Sequence, residues 1–264
     1  MKIVFHPRFL HEIDDTPAGE IGRLEPSLEL LKANYPDPRI FVKPKTATME
    51  DLLRAHSSAH IASIKNHYSR THPQLYEMAR LAAGAALECA ELAVKGKPTF
   101  GLIRPPGHHA SANSSWGFCY FCNLAVALLY LREKHKKKRA FILDFDLHTG
   151  DGNINILRSY GGKHRQDYEI LNPNAQSEGI YLEVVQEALD NARKCDIIAV
   201  SAGFDQGLED WGNLLSENAY LELGKMIKDF SDERCGGVRF ALLEGGYNPQ
   251  AMARHIGAFL KGFF

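Results

Sequence analysis

The segment Phe141-Ile142-Leu143-Asp144-Phe145-Asp146-Leu147-His148 sets two carboxylates and an imidazole at alternate positions of an otherwise apolar run. In an extended chain alternate side chains share a face, so Asp144, Asp146 and His148 project to one side while Phe145 and Leu147 pack on the other. Carboxylate oxygen and imidazole nitrogen are suitable ligands for a divalent ion such as zinc, and an open catalytic site takes three protein ligands and a water. This segment offers two or three of them, so another must come from elsewhere. A lone Asp-x-Asp would read as a polar strand edge with a solvated histidine.

The same arrangement, an apolar strand and then a polar cluster, recurs three times. Thr99-Phe100-Gly101-Leu102-Ile103-Arg104 leads through Pro105-Pro106-Gly107 into His108-His109. Asp196-Ile197-Ile198-Ala199-Val200-Ser201-Ala202 ends in Gly203-Phe204-Asp205, and Val238-Arg239-Phe240-Ala241-Leu242-Leu243 ends in Glu244-Gly245-Gly246-Tyr247. Short, continuous apolar runs are what strands buried on both faces of a parallel sheet look like. Open α/β sheets bind ligands beyond the carboxyl ends of their strands, where all four clusters fall, so they are expected to converge on a single metal-dependent site.

The remaining elements suit that sheet. Helical character is read over 74–94, 123–133, 180–194, 217–230 and 249–261, the last with Asn248 as N-cap and Pro249 at the first helical position. Residues 14–25 read as an irregular surface loop that could form part of a pocket rim. A chain of 264 residues with 45% hydrophobic content can bury one substantial core, so residues 1–264 are expected to form a single catalytic domain. With 31 basic and 32 acidic residues the net charge is −1, which leaves no global field to hold nucleic acid or an anionic membrane. The basic run at 134–139 follows a helix and reads as its solvated end. The N-terminus loses apolar character too soon for a signal peptide and no run is long enough to span a bilayer, so a soluble, cytoplasmic protein is expected. Five scattered cysteines suggest no disulfide framework. Cys119-Tyr120-Phe121-Cys122 could serve redox chemistry or zinc, but it has no second pair and runs into a buried-looking helix, which favours small core thiols.

The motifs Arg104-Pro105-Pro106-Gly107-His108-His109-Ala110, Gly117-Phe118-Cys119-Tyr120-Phe121, Asp144-x-Asp146-x-His148, Ser201-Ala202-Gly203-Phe204-Asp205 and Glu244-Gly245-Gly246-Tyr247 together resemble the histone deacetylase family, which includes acetylpolyamine amidohydrolases and acetoin-utilisation proteins. They occur in the family's order and span most of the chain. The resemblance implies a three-layer arginase/deacetylase-like α/β fold, with a central, mostly parallel sheet flanked by helices. It also implies zinc held by Asp146, His148 and Asp205, in a deacetylase that removes an acetyl or related acyl group from a lysine-like amine.

By the same resemblance His109 is the general base and later acid, His108 gives electrostatic support, and Tyr247 donates to the developing oxyanion. Asp151 would orient His109, and Asp144 would orient His108, since a carboxylate partner fixes the imidazole tautomer. A turn or cap residue is the competing reading for either aspartate, and a buried structural tyrosine for Tyr247. Phe118 matches an aromatic lining the acyl-lysine tunnel, where a plain core phenylalanine is the alternative, and Gly117 would let the substrate's aliphatic chain pass close to the backbone. His56 and His60 have helical spacing without an accompanying carboxylate motif and read as surface or packing residues.

The chain departs from the family pattern at Thr149, where many relatives carry a second histidine, and at Cys122, often asparagine. The stretch 153–177 is compact and shows no convincing hydroxyl for the family's structural potassium, so potassium is not counted among the expected ions. Glu209, Asp210 and Trp211 follow Asp205 closely enough to reach the rim, where negative charge would favour a cationic acetylpolyamine or a Lys-rich peptide; a solvated loop with a packing tryptophan is the alternative. An arginase-type binuclear manganese site would need more aspartates than Asp144 and Asp146 supply. A catalytically weak metal-binding scaffold that recognises acylated partners would have no need of Tyr247 and the histidine pair. Substrate identity, acyl preference, zinc against iron(II) and oligomeric state stay open.

Overall fold

The computed structural model describes residues 1–68, 70–159 and 167–264. Among the described residues seven strands, β1 Lys2–Val4, β2 Phe41–Val42, β3 Thr99–Gly101, β4 Ala140–Asp144, β5 Tyr168–Leu171, β6 Ile197–Ala202 and β7 Arg239–Leu243, form one sheet in the order β2-β1-β3-β7-β6-β4-β5. Every pairing is parallel, as expected of a sheet covered on both faces. β4, β6 and β7 are buried along their whole length. That explains their unbroken apolar sequences.

One helical layer holds α4 Leu75–Val94, which lies on β1, β3 and β7, α5 Asn123–His135 beside it, and α6 Asp151–Ser159 against α5 and β5. The other holds α8 Glu217–Arg234 over β6, flanked by α7 Glu178–Asn191 and α9 Pro249–Phe263. Side chains cap these helices where the backbone amides lack partners. Ser177 accepts from Ile180 N, Ser216 from Ala219 N, and Asn248 from Gln250 N and Ala251 N. The helices that were read differ only at their ends, α7 starting after its Ser177 cap and α8 running on to Arg234, whereas α1 Glu25–Asn34, α2 Met49–Leu53, α3 Ser58–His67 and α6 were not read as helices. Among the described residues no helix is long and apolar enough to cross a membrane.

Residues 14–24 are irregular, with Asp15, Glu20 and Ile21 exposed, but the loop is anchored from within. Arg104 reaches back from the end of β3 to the carbonyls of His11, Ala18 and Glu20. Asp14, buried, accepts from Tyr120 Oη at 2.5 Å. These pairings pin the loop beneath the strand ends and bury Arg23. Of the compact stretch 153–177, residues 160–166 lie outside the described residues.

Candidate active site

The four central strands β3, β7, β6 and β4 are neighbours, and each delivers one polar cluster beyond its carboxyl end. Regular strand stops at Asp144, and residues 146–148 follow as a bend. One potential ligand atom from each of Asp146, His148 and Asp205 falls within 4.8 Å of the others, an arrangement that could hold a metal ion. Backbone amides fix the carboxylates: Asp146 accepts from Gly245 N at 2.8 Å and His148 N at 2.9 Å, and Asp205 Oδ1 accepts from Leu147 N at 3.0 Å. Gly245 is obligatory here, since a Cβ would sit 2.5 Å from Asp146 Oδ2 and 2.6 Å from Asp205 Oδ2.

Asp205 Oδ2 is buried and accepts no hydrogen bond; His148 Nδ1, 3.3 Å away, is not aligned to donate to it. Burial and the charge of Asp146 push the Asp205 carboxyl up to about 7. Hydrogen bonding to Asp146, joined by the nearby carboxylate of Asp205, raises His148 to about 10, so that a proton on the imidazole answers the two carboxylates. Both shifts have one origin, negative charge concentrated in a dry pocket, and a divalent cation among these oxygen and nitrogen donors would relieve it. The donor set fits such an ion.

The histidine pair lies beside the triad, with ring centroids 4.0 Å apart. His109 Nδ1 donates to Asp151 Oδ1 at 2.7 Å, and His108 Nδ1 to Asp144 Oδ2 at 3.2 Å. Burial opposes charge on His108, but Asp146 and Asp144 outweigh it and raise its pKa well above the usual histidine range. Burial, helped by the charge of His108, lowers His109 to about 4 and keeps it neutral.

Glu244, quoted in the sequence motif without a role, supports this pair. It is buried; its Oε2 accepts from Gly107 N at 2.6 Å and His108 N at 3.2 Å, and its Oε1 from Ser201 Oγ at 3.1 Å. Asn153 Nδ2 donates to both Asp144 Oδ2 and Ser201 Oγ, closing a ring of hydrogen bonds under His108. A network this completely paired is rigid.

Tyr247 stands on the opposite side, its ring edge-on to Phe118 with centroids 5.9 Å apart. Burial raises its pKa, so the hydroxyl keeps its proton. Asp210 Oδ2 accepts from the backbone amides of Tyr247 at 2.7 Å and Asn248 at 2.8 Å, while Arg23 donates to the carbonyls of Gly246 and Glu244 with its guanidinium 5.4 Å from the Tyr247 ring. Arg23 was not singled out by the sequence reading, which had no means of showing that a loop 220 residues away in the chain would bury a cation here.

The structure places the remaining residues of the sequence reading as follows. Of the acidic residues at 209–211, Glu209 pairs with Arg254, and Asp210 is turned toward the backbone amides of Tyr247 and Asn248. Gly117 is demanded by packing, since a Cβ there would lie 2.4 Å from His109 Cδ2. Gly117 and Phe118 are both left-handed, at φ +57° and +63°, a conformation that costs a non-glycine residue about 1 to 2 kcal/mol and points Phe118 toward Tyr247. His56 and His60 are buried, and they anchor the neighbouring turn: His56 Nε2 accepts from Cys122 N, and His60 Nε2 donates to Tyr120 O. Burial raises the pKa of both Cys119 and Cys122, as suits core thiols. Asn172 Nδ2 donates to the Asp144 carbonyl at 3.2 Å.

A family model described as Histone deacetylase domain matches residues 19–163 and 159–263. A probable deacetylase of Methanothermobacter thermautotrophicus is 31% identical, over 99% of this chain and 90% of its own length. A polyamine deacetylase, HDAC10 of Danio rerio, is 32% identical over 91% of this chain, which spans 44% of that protein. The crystal structure of the HDA15 HD domain superposes with a TM-score of 0.82 over 98% of this chain and 88% of its own, at 23% identity, a likeness of fold.

Proposed function

The chain belongs to the histone deacetylase family and is a hydrolytic deacetylase, and from that premise we propose that it removes an acetyl or related acyl group from a lysine-like amine at a zinc ion held by Asp146, His148 and Asp205. The amine is an acyl-lysine side chain in a peptide or protein, or an acetylated small amine such as a polyamine, and residues 1–264 act as one catalytic domain. The observation that carries this reading is the buried, unpaired Asp205 Oδ2 beside Asp146 and His148. Iron(II) would suit the same donors. When bound, zinc supplies Lewis acidity toward the amide carbonyl and lowers the pKa of a bound water to about 7.

The chain's own groups perform the rest. His109 Nδ1–H is committed to Asp151, so Nε2 is the atom that takes the proton from the attacking water and passes it to the departing amine nitrogen as the C–N bond breaks. His108, held by Asp144, places positive charge beside the developing tetrahedral centre. Tyr247 Oη donates to the carbonyl oxygen as it becomes an oxyanion. Phe118 borders the path of the substrate's aliphatic stem, while Gly117 keeps the turn close against His109.

Amine release from acetyl-lysine peptide, acetylputrescine, acetylspermidine and a fluorogenic acyl-lysine, with metal-stripped protein before and after zinc addition, tests the proposal. Zinc-dependent release is expected, and its ranking identifies the substrate branch. Unchanged release from the stripped protein would exclude the metal mechanism.

A further inference from the structure

The chain has two tryptophans, both at the mouth of the site and both more than half exposed. Each lies nearly flat on a ring of the site: Trp211 on Tyr247 with centroids 4.0 Å apart and planes 25° apart, Trp116 on His109 at 3.9 Å and 32°. Trp116 also makes a polar contact. Its Nε1–H donates to Asp151 Oδ2 at 3.0 Å, while Oδ1 of that carboxylate accepts from His109 Nδ1. An indole N–H can only donate, so the carboxylate is gripped through both oxygens.

Asp151 needs the grip. It sits in the first turn of α6 with a side chain 38% exposed, and without the indole its outer oxygen would face water. The left-handed backbone at Gly117 and Phe118 allows the turn to send Trp116 over His109 and Phe118 toward Tyr247.

We propose that Trp116 is a positioning residue for the general base: its N–H fixes the Asp151 carboxylate and its face screens the Asp151–His109 hydrogen bond from water, which keeps His109 Nε2 as the proton-accepting atom. The inference rests on the assignment of His109 as general base and adds a third member to that pair.

Two measurements test it. Trp116→Phe keeps an aromatic ring over His109 but removes the N–H; in zinc-loaded enzyme kcat is expected to fall about ten-fold with KM within about two-fold, as for loss of an orienting partner. A raised KM with unchanged kcat would make Trp116 a substrate-lining residue and overturn the proposal. The second measurement needs no turnover. In metal-free, 15N-labelled Trp211→Phe protein the remaining indole N–H belongs to Trp116, and its protection from solvent exchange is expected to be lost on adding Asp151→Ala. Protection that survives Asp151→Ala would overturn the proposal even if no panel substrate were hydrolysed, an outcome that would count against the deacetylase reading separately.

Discussion

The floor and the rim of the site are built on different principles. The floor, comprising Asp144, Asp146, Asp205, His108 and Glu244, is buried, and it stands on or just beyond strands whose ladders leave the backbone no play. The rim, with Trp116, Phe118, Glu209 and Trp211, stands on turns, several in left-handed conformations, with Trp116 and Trp211 55% and 52% exposed. Polar groups that must be held to a fraction of an ångström are tied to the sheet, whereas the exposed aromatic faces stand on loops. Tyr247 joins the two, since Asp210 and Arg23 hold its backbone from below and Trp211 stacks on its ring from outside.

Four substitutions would break or sharpen this contrast. Asp205→Ala removes a proposed ligand from the floor and is expected to abolish metal retention and cut kcat/KM by roughly 10³-fold or more, read by metal analysis beside kinetics. Should bound metal and activity both persist, the ligand assignment is wrong. Tyr247→Phe removes one oxyanion donor and leaves the metal in place, so kcat should fall about 10²- to 10³-fold at unchanged metal content. Full turnover in that variant would end the oxyanion role.

Glu244→Gln probes the floor through pH. Burial raises the Glu244 carboxyl from 4.5 to about 7, so its contribution to stability is present below about pH 4.5 and is lost as pH rises through about 7. Metal-free wild type is therefore expected to lose about 3 kcal/mol relative to Glu244→Gln over that interval, measured by denaturant unfolding at several pH values. A constant difference between the two proteins would mean that Glu244 ionises normally. The smallest effect belongs to the rim: Trp211→Ala is expected to raise KM about three- to ten-fold through lost stacking, with kcat nearly unchanged. A larger loss in kcat than in KM would erase the distinction between floor and rim at this residue.

The contrast also separates what was legible in the sequence from what was not. β3, β4, β6 and β7 were readable because central parallel strands are apolar on both faces, and the polar residues just past their ends were readable for the same reason. The edge strands β2 and β5, and the short β1 next to β2, are two to four residues long and carry no such signal. Arg23, Asp14 and Arg104 look like surface residues, because the burial of a charge depends on partners remote in sequence; Arg23 is paired to carbonyls at Glu244 and Gly246. The acidic character of residues 209–211 was visible, but the pairing of Glu209 with Arg254 and of Asp210 with the Tyr247 and Asn248 amides was not. His56 and His60 differ from His108 and His109 by donating to or accepting from backbone groups of a turn, which spacing alone does not reveal.

The most direct test of the account is a zinc titration of metal-stripped protein in which bound metal and amine release are followed in the same samples. The account predicts that both rise together and saturate at one ion per chain, and that Asp205→Ala shows neither rise. Amine release that is complete before zinc is added, or that stays absent after one ion has bound across the whole substrate panel, would contradict it.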